Sequence, residues 1–290
     1  MSALDQSYTQ DRPLIWDLSY RITGVAADAD EIVQETYVRA LTRPPADASL
    51  AWRPWLVRVA VNLSRDRLRA RNRRSYLGPW LPSPVPDDDA ERRLGDRQLA
   101  SYAWMVACEQ LTPQQRAVVV LRDVVGASVA ETAAWLQTTE SSVRVAHHRA
   151  RQRLRPDQPL TQEQGQQHGA ALHQFLAALA RGDLPTALAL LSPDAVAQSD
   201  GGREFRAAKV PVRGPEKIIQ FLRWLTQRGG PDVRVAPLRL NGQWGLRVDR
   251  TTTHPSEAPR SVILVELDQG GLIQNFYWVL STDRLSALPR

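Results

Sequence analysis

Four prolines within eight residues, Pro79, Pro82, Pro84 and Pro86, divide the chain. Each lacks a backbone N–H and has a fixed φ, so no regular helix passes through and the chain there runs extended. Residues 76–90 therefore read as a linker. Trp80 and Leu81 are out of place in a solvated spacer and imply that this segment docks on a surface. What folds before the prolines is built separately from what folds after them. A length of 290 residues allows two or three domains. A hydrophobic content of 43% with 23% charged residues excludes wholesale disorder and a membrane bundle.

Before the linker, Leu14, Leu18, Ile22 and Val25 keep helical spacing, and a second helical run extends from Asp28 to Leu41, ended by Pro44 and Pro45. A third, Trp52 to Arg74, places Trp52, Trp55, Leu56, Val59, Leu63 and Leu68 near one face, with arginines crowding its second half. Residues 1–75 thus form a helical bundle. After the linker, helical patterning runs from about Glu91 through Leu111, and Pro113 opens a helix that Gly126 ends near Val125. Ser128-Val-Ala-Glu131 is a capping box opening a short helix to Leu136, and Thr139 caps another running to Leu154. Two short helices joined by a three-residue turn make a helix-turn-helix, whose second helix is shaped for a major groove.

Beyond Pro156, Leu172, Phe175, Leu176 and Leu179 form one helical face, Gly182-Asp183 turns, and Pro185 opens a short helix. A helix is expected from Glu216 to about Gln227. Two hairpins follow: Val233–Leu240 and Trp244–Val248 around Asn241-Gly242, then Val262–Leu267 and Leu272–Leu280 around Asp268–Gly271. Residues 156–290 read as an α+β domain with a curved antiparallel sheet. The whole chain is multidomain: two all-α domains (1–75 and 91–155) followed by this one.

Charge is clustered. The net values are +3 over 1–75, −3 over 76–110, +4 over 111–155 and +2 over 156–290, and 35 of the 37 basic residues are arginine, whose planar fork suits phosphates and base edges. Val143, His147, Ala150 and Leu154 mark the inward face of the second helix, leaving Arg144, Arg149, Arg151, Arg153 and Arg155 outward, toward DNA. Trp52 and Trp55 with Arg58, Arg65, Arg67, Arg69, Arg71, Arg73 and Arg74 combine stacking rings with backbone-tracking cations, a combination suited to single strands. Cys108 is the only cysteine, excluding an internal disulfide and thiolate zinc, and points to a reducing cytoplasm. No signal peptide or spanning segment is apparent, and no metal spacing, phosphate loop or Ser-His-Asp arrangement, so no catalytic residue, metal or cofactor is expected.

A helical bundle, a linker and a helix-turn-helix in this order resemble a sigma factor of the sigma-70 family, in its compact extracytoplasmic-function form. Asp28-Ala-Asp30-Glu31 through Gln34, Glu35 and Arg39 is similar to the region 2 signature that binds the RNA polymerase core enzyme. Trp55 through Arg69 resembles the part that melts and reads the −10 element. The resemblance implies −10 contacts from Trp52, Trp55, Arg58, Asn62, Arg65, Arg67 and Arg69. Leu111 through Arg155 resembles region 4, implying −35 contacts from Thr139, Glu140, Ser141, Ser142, Arg144, His148, Arg149 and Arg151. Gln137 stands where a turn glycine is usual and His147 where an apolar residue is.

The chain further resembles the subgroup with a fused SnoaL-like cone. Trp80-Leu81-Pro82-Ser83-Pro84 is similar to its Trp-Leu-Pro-Glu-Pro linker, Asp200-Gly201-Gly202-Arg203 to its Asp-Gly-Gly-Gly motif, and Ser281-Thr-Asp283-Arg284-Leu285 to its terminal Asn-Pro-Asp-Lys-Leu. This implies a non-enzymatic initiation factor whose cone contacts region 2 and the linker through these residues. The implied partners are core enzyme, duplex −35 and melted −10 DNA, with no membrane and no separate anti-sigma factor. Two other readings stand beside it: a DNA-binding regulator whose cone senses a small ligand, with Asp200 or His254 lining the pocket, and a cone with cyclase or isomerase activity using Asp200 as base.

Overall fold

A computed structural model describes residues 3–44, 52–73, 78–95, 97–227, 232–251 and 254–289; Pro45, Arg74, Tyr76 and Leu77 lie outside these. The chain forms two units, Met1–Ser75 with Asp88–Pro159, and Tyr76–Asp87 with Leu160–Arg290.

The first unit is helical. α1 (Ala3–Thr23), α2 (Ala26–Thr42) and α3 (Trp52–Arg73) pack on one another. Each buries an apolar stripe: Ile15, Leu18 and Ile22 from α1, Ala29, Ile32 and Val33 from α2, Leu56, Val57, Ala60 and Val61 from α3. The α3 stripe is rotated from the expected one, leaving Trp52, Trp55, Val59 and Leu63 half-buried while Ser64 and Arg65 are buried. α4 (Asp87–Leu94), α5 (Tyr102–Cys108), α6 (Pro113–Val119), a π turn (Val120–Val124), α7 (Val129–Leu136) and α8 (Glu140–Arg151) follow. The continuous helix expected from Glu91 to Leu111 is interrupted, because Gly95 turns at φ +54° and Ser101 starts a new helix by accepting the Trp104 N–H. Capping boxes form at Thr112 with Gln115 and at Ser128 with Glu131. α8 stops at Arg151, short of the expected Leu154.

Buried ion pairs tie these helices together. Arg116, 1% exposed, donates to the Arg21 carbonyl of α1 at 2.7 Å and pairs with Glu109, which Arg71 of α3 also reaches at 2.5 Å. Losing one partner of such a group strands a charge in the interior, so separating these helices carries a cost unless both partners are rehydrated.

In the second unit, α9 (Gln162–Ala180), α10 (Leu184–Ala189) and α11 (Pro215–Gln227) pack on a six-stranded sheet. Its strands are β1 (Leu191–Asp200), β2 (Val212–Arg213), β3 (Val233–Leu240), β4 (Gln243–Arg250), β5 (Arg260–Leu267) and β6 (Ile273–Val279), in the order β2-β1-β6-β5-β4-β3. The sheet is mixed where an antiparallel one is the expectation. β1, absent from the sequence reading, runs parallel to β6, which the long connection between them permits. Both hairpins form, and Asn241 at φ +51° with Gly242 at φ +79° gives the tight turn joining β3 to β4. The core lies between sheet and helices, where Phe175 of α9 meets Phe276 of β6 at 5.0 Å between ring centroids.

Candidate nucleic-acid interface and linker cradle

The acidic signature on α2 divides by its partners. Asp28 and Glu31 bind Arg67 of α3 at 2.8 and 2.6 Å. Burial, outweighing Arg67, raises the Asp28 pKa above the usual carboxylate value. Asp30 accepts the Trp16 indole N–H at 2.8 Å and pairs with Arg93, so it is committed inside the unit. Gln34 is exposed, and Glu35 and Arg39 pair with each other at 2.8 Å in open solvent. Beside them Val38 and Leu41 are 52% and 72% exposed, an apolar strip that the sequence reading passed over although their helical positions fall off the buried face.

On α3, Trp52 and Trp55 meet edge to face, 6.0 Å between centroids, both half-buried. Arg58 and Arg69 are exposed, the latter pairing with Asp66 at 3.3 Å, and Asn62 is half-buried. Arg65 is buried and donates to the Leu136 carbonyl of α7 at 3.4 Å. With Arg67 held by α2, the arginine cluster is only partly presented to solvent.

The helix-turn-helix is built as its caps require. The Thr139 hydroxyl accepts the Ser142 N–H at 3.1 Å, and Gln137 closes α7 in the left-handed region at φ +51°. Val143, Ala146, Ala150 and Leu154 are buried along the inward face, and His147 on the same stripe is half-buried and bonds Asp123 at 2.8 Å, where Arg151 also reaches at 3.5 Å. Glu140, Ser141, Arg144, His148 and Arg149 are exposed, with Arg144 paired to Glu140 at 2.7 Å. Val145, 46% exposed among them, is an apolar side chain of the kind that meets a thymine methyl, and the sequence reading omitted it. Arg153 and Arg155 are exposed beyond the helix.

In the second unit the linker lies in a cradle. Leu81, Pro82, Ser83 and Pro84 are buried and Trp80 is half-buried. At the end of β1 the fully buried Asp200 accepts the Leu81 N–H through Oδ2 and the Gly202 N–H through Oδ1, each at 2.8 Å. Arg284 lies 3.6 Å from the same Oδ2, and its guanidinium sits 4.3 Å from the Trp80 ring centre. The glycines are required by space: a Cβ on Gly201 would overlap the Phe205 carbonyl, and Gly202, at φ +62°, abuts the Ser281 hydroxyl. Arg203, which replaces the motif's last glycine, is exposed. Leu285 is buried, whereas Asp283 is exposed and stands outside the cradle's bonds. Further along, Val85 exchanges hydrogen bonds with Asn241 at 2.9 and 3.0 Å, and Asp87 binds the Gly242 N–H at 2.9 Å and Arg239 at 3.1 Å. Asn241 was legible only as a turn former, since its bond to Val85 depends on residues far away in sequence.

Asp200 is thus occupied in holding the linker, which is not the setting of a general base. Neither it nor His254, which bonds Ser256 at 2.7 Å, is among the residues lining the cavity between Phe221 and Trp278. Among the described residues no cluster of three His, Cys, Asp or Glu side chains is placed to hold a metal, and no helix is long and apolar enough to cross a membrane.

Residues 8–74 match the family Sigma-70 region 2, residues 103–154 Sigma-70, region 4, and residues 172–263 the SnoaL-like domain. Over 227 residues, 76% of this chain and 72% of its relative, the sequence is 36% identical to ECF RNA polymerase sigma factor SigJ of Mycobacterium tuberculosis. The chain belongs to the ECF sigma factors. It is also 31% identical over 261 residues to sigma factor SigG of the same organism, covering 77% of this chain and 67% of that one. The crystal structure of M. tuberculosis SigJ superimposes with a TM-score of 0.76 at 28% identity, spanning 98% of this chain and 99% of that chain. As an ECF sigma factor with a fused SnoaL-like domain, it directs RNA polymerase to promoters through regions 2 and 4.

Proposed function

We propose that this ECF sigma factor is regulated by its own SnoaL-like domain, which acts by holding the linker and makes a separate anti-sigma factor unnecessary. Core enzyme docks on the exposed α2 face of Gln34, Glu35, Val38, Arg39 and Leu41, with Asp28, Asp30 and Glu31 bracing α2 against Arg67 of α3 and Arg93 of α4. The melted −10 strand engages Trp52, Trp55, Arg58, Asn62 and Arg69, joined by Arg65 and Arg67 once their intramolecular partners release them. α8 enters the −35 major groove with Ser141, Arg144, His148 and Arg149 foremost, while Thr139, Glu140, Ser142 and Arg151 set its pose. The protein acts in the cytoplasm, where its polymerase is. The cone takes no catalytic part.

The observation that carries the regulatory reading is the bond of Asp200 to the Leu81 N–H, a charge-assisted contact between the cone's strand end and the segment joining the two DNA-reading regions. Asn at position 200 keeps the shape but has one oxygen for two N–H donors. Transcription in vitro with purified core enzyme, on a promoter from upstream of the protein's own gene, tests this with the full chain, Asp200→Asn and Arg284→Ala. Promoter-specific transcript is expected from all three, with output changed at least threefold in both variants. Output equal to wild type from both variants, with folding verified by circular dichroism, overturns the regulatory reading.

A further inference from the structure

The SnoaL-like unit contains a cavity of about 190 Å³ that the linker does not fill. Its apolar wall is Phe221 of α11, Trp278 of β6 and Leu280 just beyond that strand, and its charged lining is Arg206, Arg250 and Glu257. We propose that this cavity binds a small monoanionic organic acid, of one ring or a short branched chain bearing a single carboxylate.

Three observations support this class. The volume is slightly above that of a cavity of about 150 Å³ known to hold benzene, so one ring with one small substituent fills it and a larger scaffold does not. Two arginines and one glutamate line the cavity, so its charged lining is net positive, and guanidinium groups suit carboxylates in paired geometry. Arg250 is held by its Nε bond to the Ala258 carbonyl at 2.9 Å, which fixes the plane of its fork. Finally, the indole N–H of Trp278 is buried with no hydrogen-bond partner among the described residues, a donor to which an occupant bearing an acceptor offers a partner.

The site is also framed before anything binds. The segment following β1 is pinned at the rim by the Arg206 N–H to the Ser256 carbonyl at 2.8 Å and by the Ala208 N–H to the Ser199 hydroxyl at 2.8 Å. A preformed pocket spares its ligand the cost of ordering it. Ser199 and Leu280 adjoin Asp200 and Ser281, so an occupant lies one residue from the linker cradle on two strand ends. Any effect on transcription rests on the regulatory reading above, whereas binding itself does not.

The test is calorimetric titration of the full chain with benzoate and, as a neutral isostere, benzamide. Benzoate is expected to bind at one site, at least tenfold more tightly than benzamide. The Arg206→Gln/Arg250→Gln double variant should lose at least tenfold for benzoate and leave benzamide unchanged. Phe221→Trp, which fills the cavity with a larger ring, should abolish binding of both, its fold checked by circular dichroism. Equal affinity for the two probes overturns the anionic assignment. No benzoate binding by the wild-type chain, or undiminished binding by a folded Phe221→Trp variant, overturns the site. Because binding is read directly, its failure is distinguishable from an absent transcriptional effect of the cradle variants.

Discussion

Gln137 shows what a single residue costs this fold. It ends α7 with φ and ψ both at 51°, a conformation in which a Cβ crowds the backbone and which glycine adopts freely. The turn between α7 and α8 needs this geometry, because the Thr138 N–H then reaches back to the Ala133 carbonyl at 2.9 Å and α8 can begin under the Thr139 cap. Gln137→Gly should therefore stabilise the helix-turn-helix by about 0.5–1 kcal/mol, net of the entropy glycine adds to the unfolded chain. Amide exchange in α7 and α8 should slow by about two- to fivefold; exchange that is unchanged or faster would show that the strain is relieved elsewhere. The departure at position 137 was visible in the sequence, but its consequence was not, since the sequence names the residue and only the backbone shows that glutamine has taken the glycine's conformation. Asp200 is similar: the motif marked it, yet its partners at Leu81 and Arg284 lie more than 80 residues away on either side.

At the level of elements, what was legible follows from how locally each is determined. The helices are set by caps and apolar periodicity, and the β3–β4 hairpin by Asn241-Gly242, so both were readable within windows of a dozen residues. β1 was missed because Leu191-Ser-Pro-Asp-Ala-Val-Ala-Gln-Ser-Asp200 holds few strand formers and a proline; it is a strand because β6 and β2 supply ladders on either side. The close approach of α9 to the hairpin is another non-local fact. Gly165 and Gly169, one helical turn apart, face the Gly242 carbonyl and the Trp244 side chain so closely that a Cβ on either would overlap them. Alanine normally improves a helix interior by about 1 kcal/mol over glycine. Here Gly165→Ala should instead destabilise the second unit by about 1–3 kcal/mol, since its neighbour is backbone and cannot swing aside. A lowered melting temperature checks this, and an unchanged or raised one would mean that α9 can withdraw from the hairpin without loss.

For the molecule as a whole, the packing of the first unit conflicts with what its two readers must do. Promoter elements named −35 and −10 lie about 25 base pairs apart, or roughly 85 Å at ~3.4 Å per base pair. A compact body of about 150 residues is only about 40 Å across. Arg65 of α3 bonds the α7 carbonyl of Leu136, and Arg71 of α3 pairs with Glu109 beside α5, so α3, proposed to read the −10 element, is held against the half of the unit that carries α8, proposed to read the −35 element. On the function proposed above, both elements cannot be read at once in this arrangement, so the unit is expected to open between α3 and α5–α8 when promoter is bound. The native thiol leaves the experiment clean: Cys108 is buried, and burial pushes its pKa up to about 12, so it stays protonated and unreactive toward thiol-directed dyes. Cysteines placed at the exposed Asn72 and Gln152 therefore take a donor–acceptor pair selectively. Energy transfer should be high in the free chain, reporting a separation within about 40 Å. It should fall on addition of core enzyme and promoter as the ends of α3 and α8 move apart toward the spacing of the two elements. Transfer that stays high in a complex shown to be transcribing would mean that promoter reading does not require the two halves to separate.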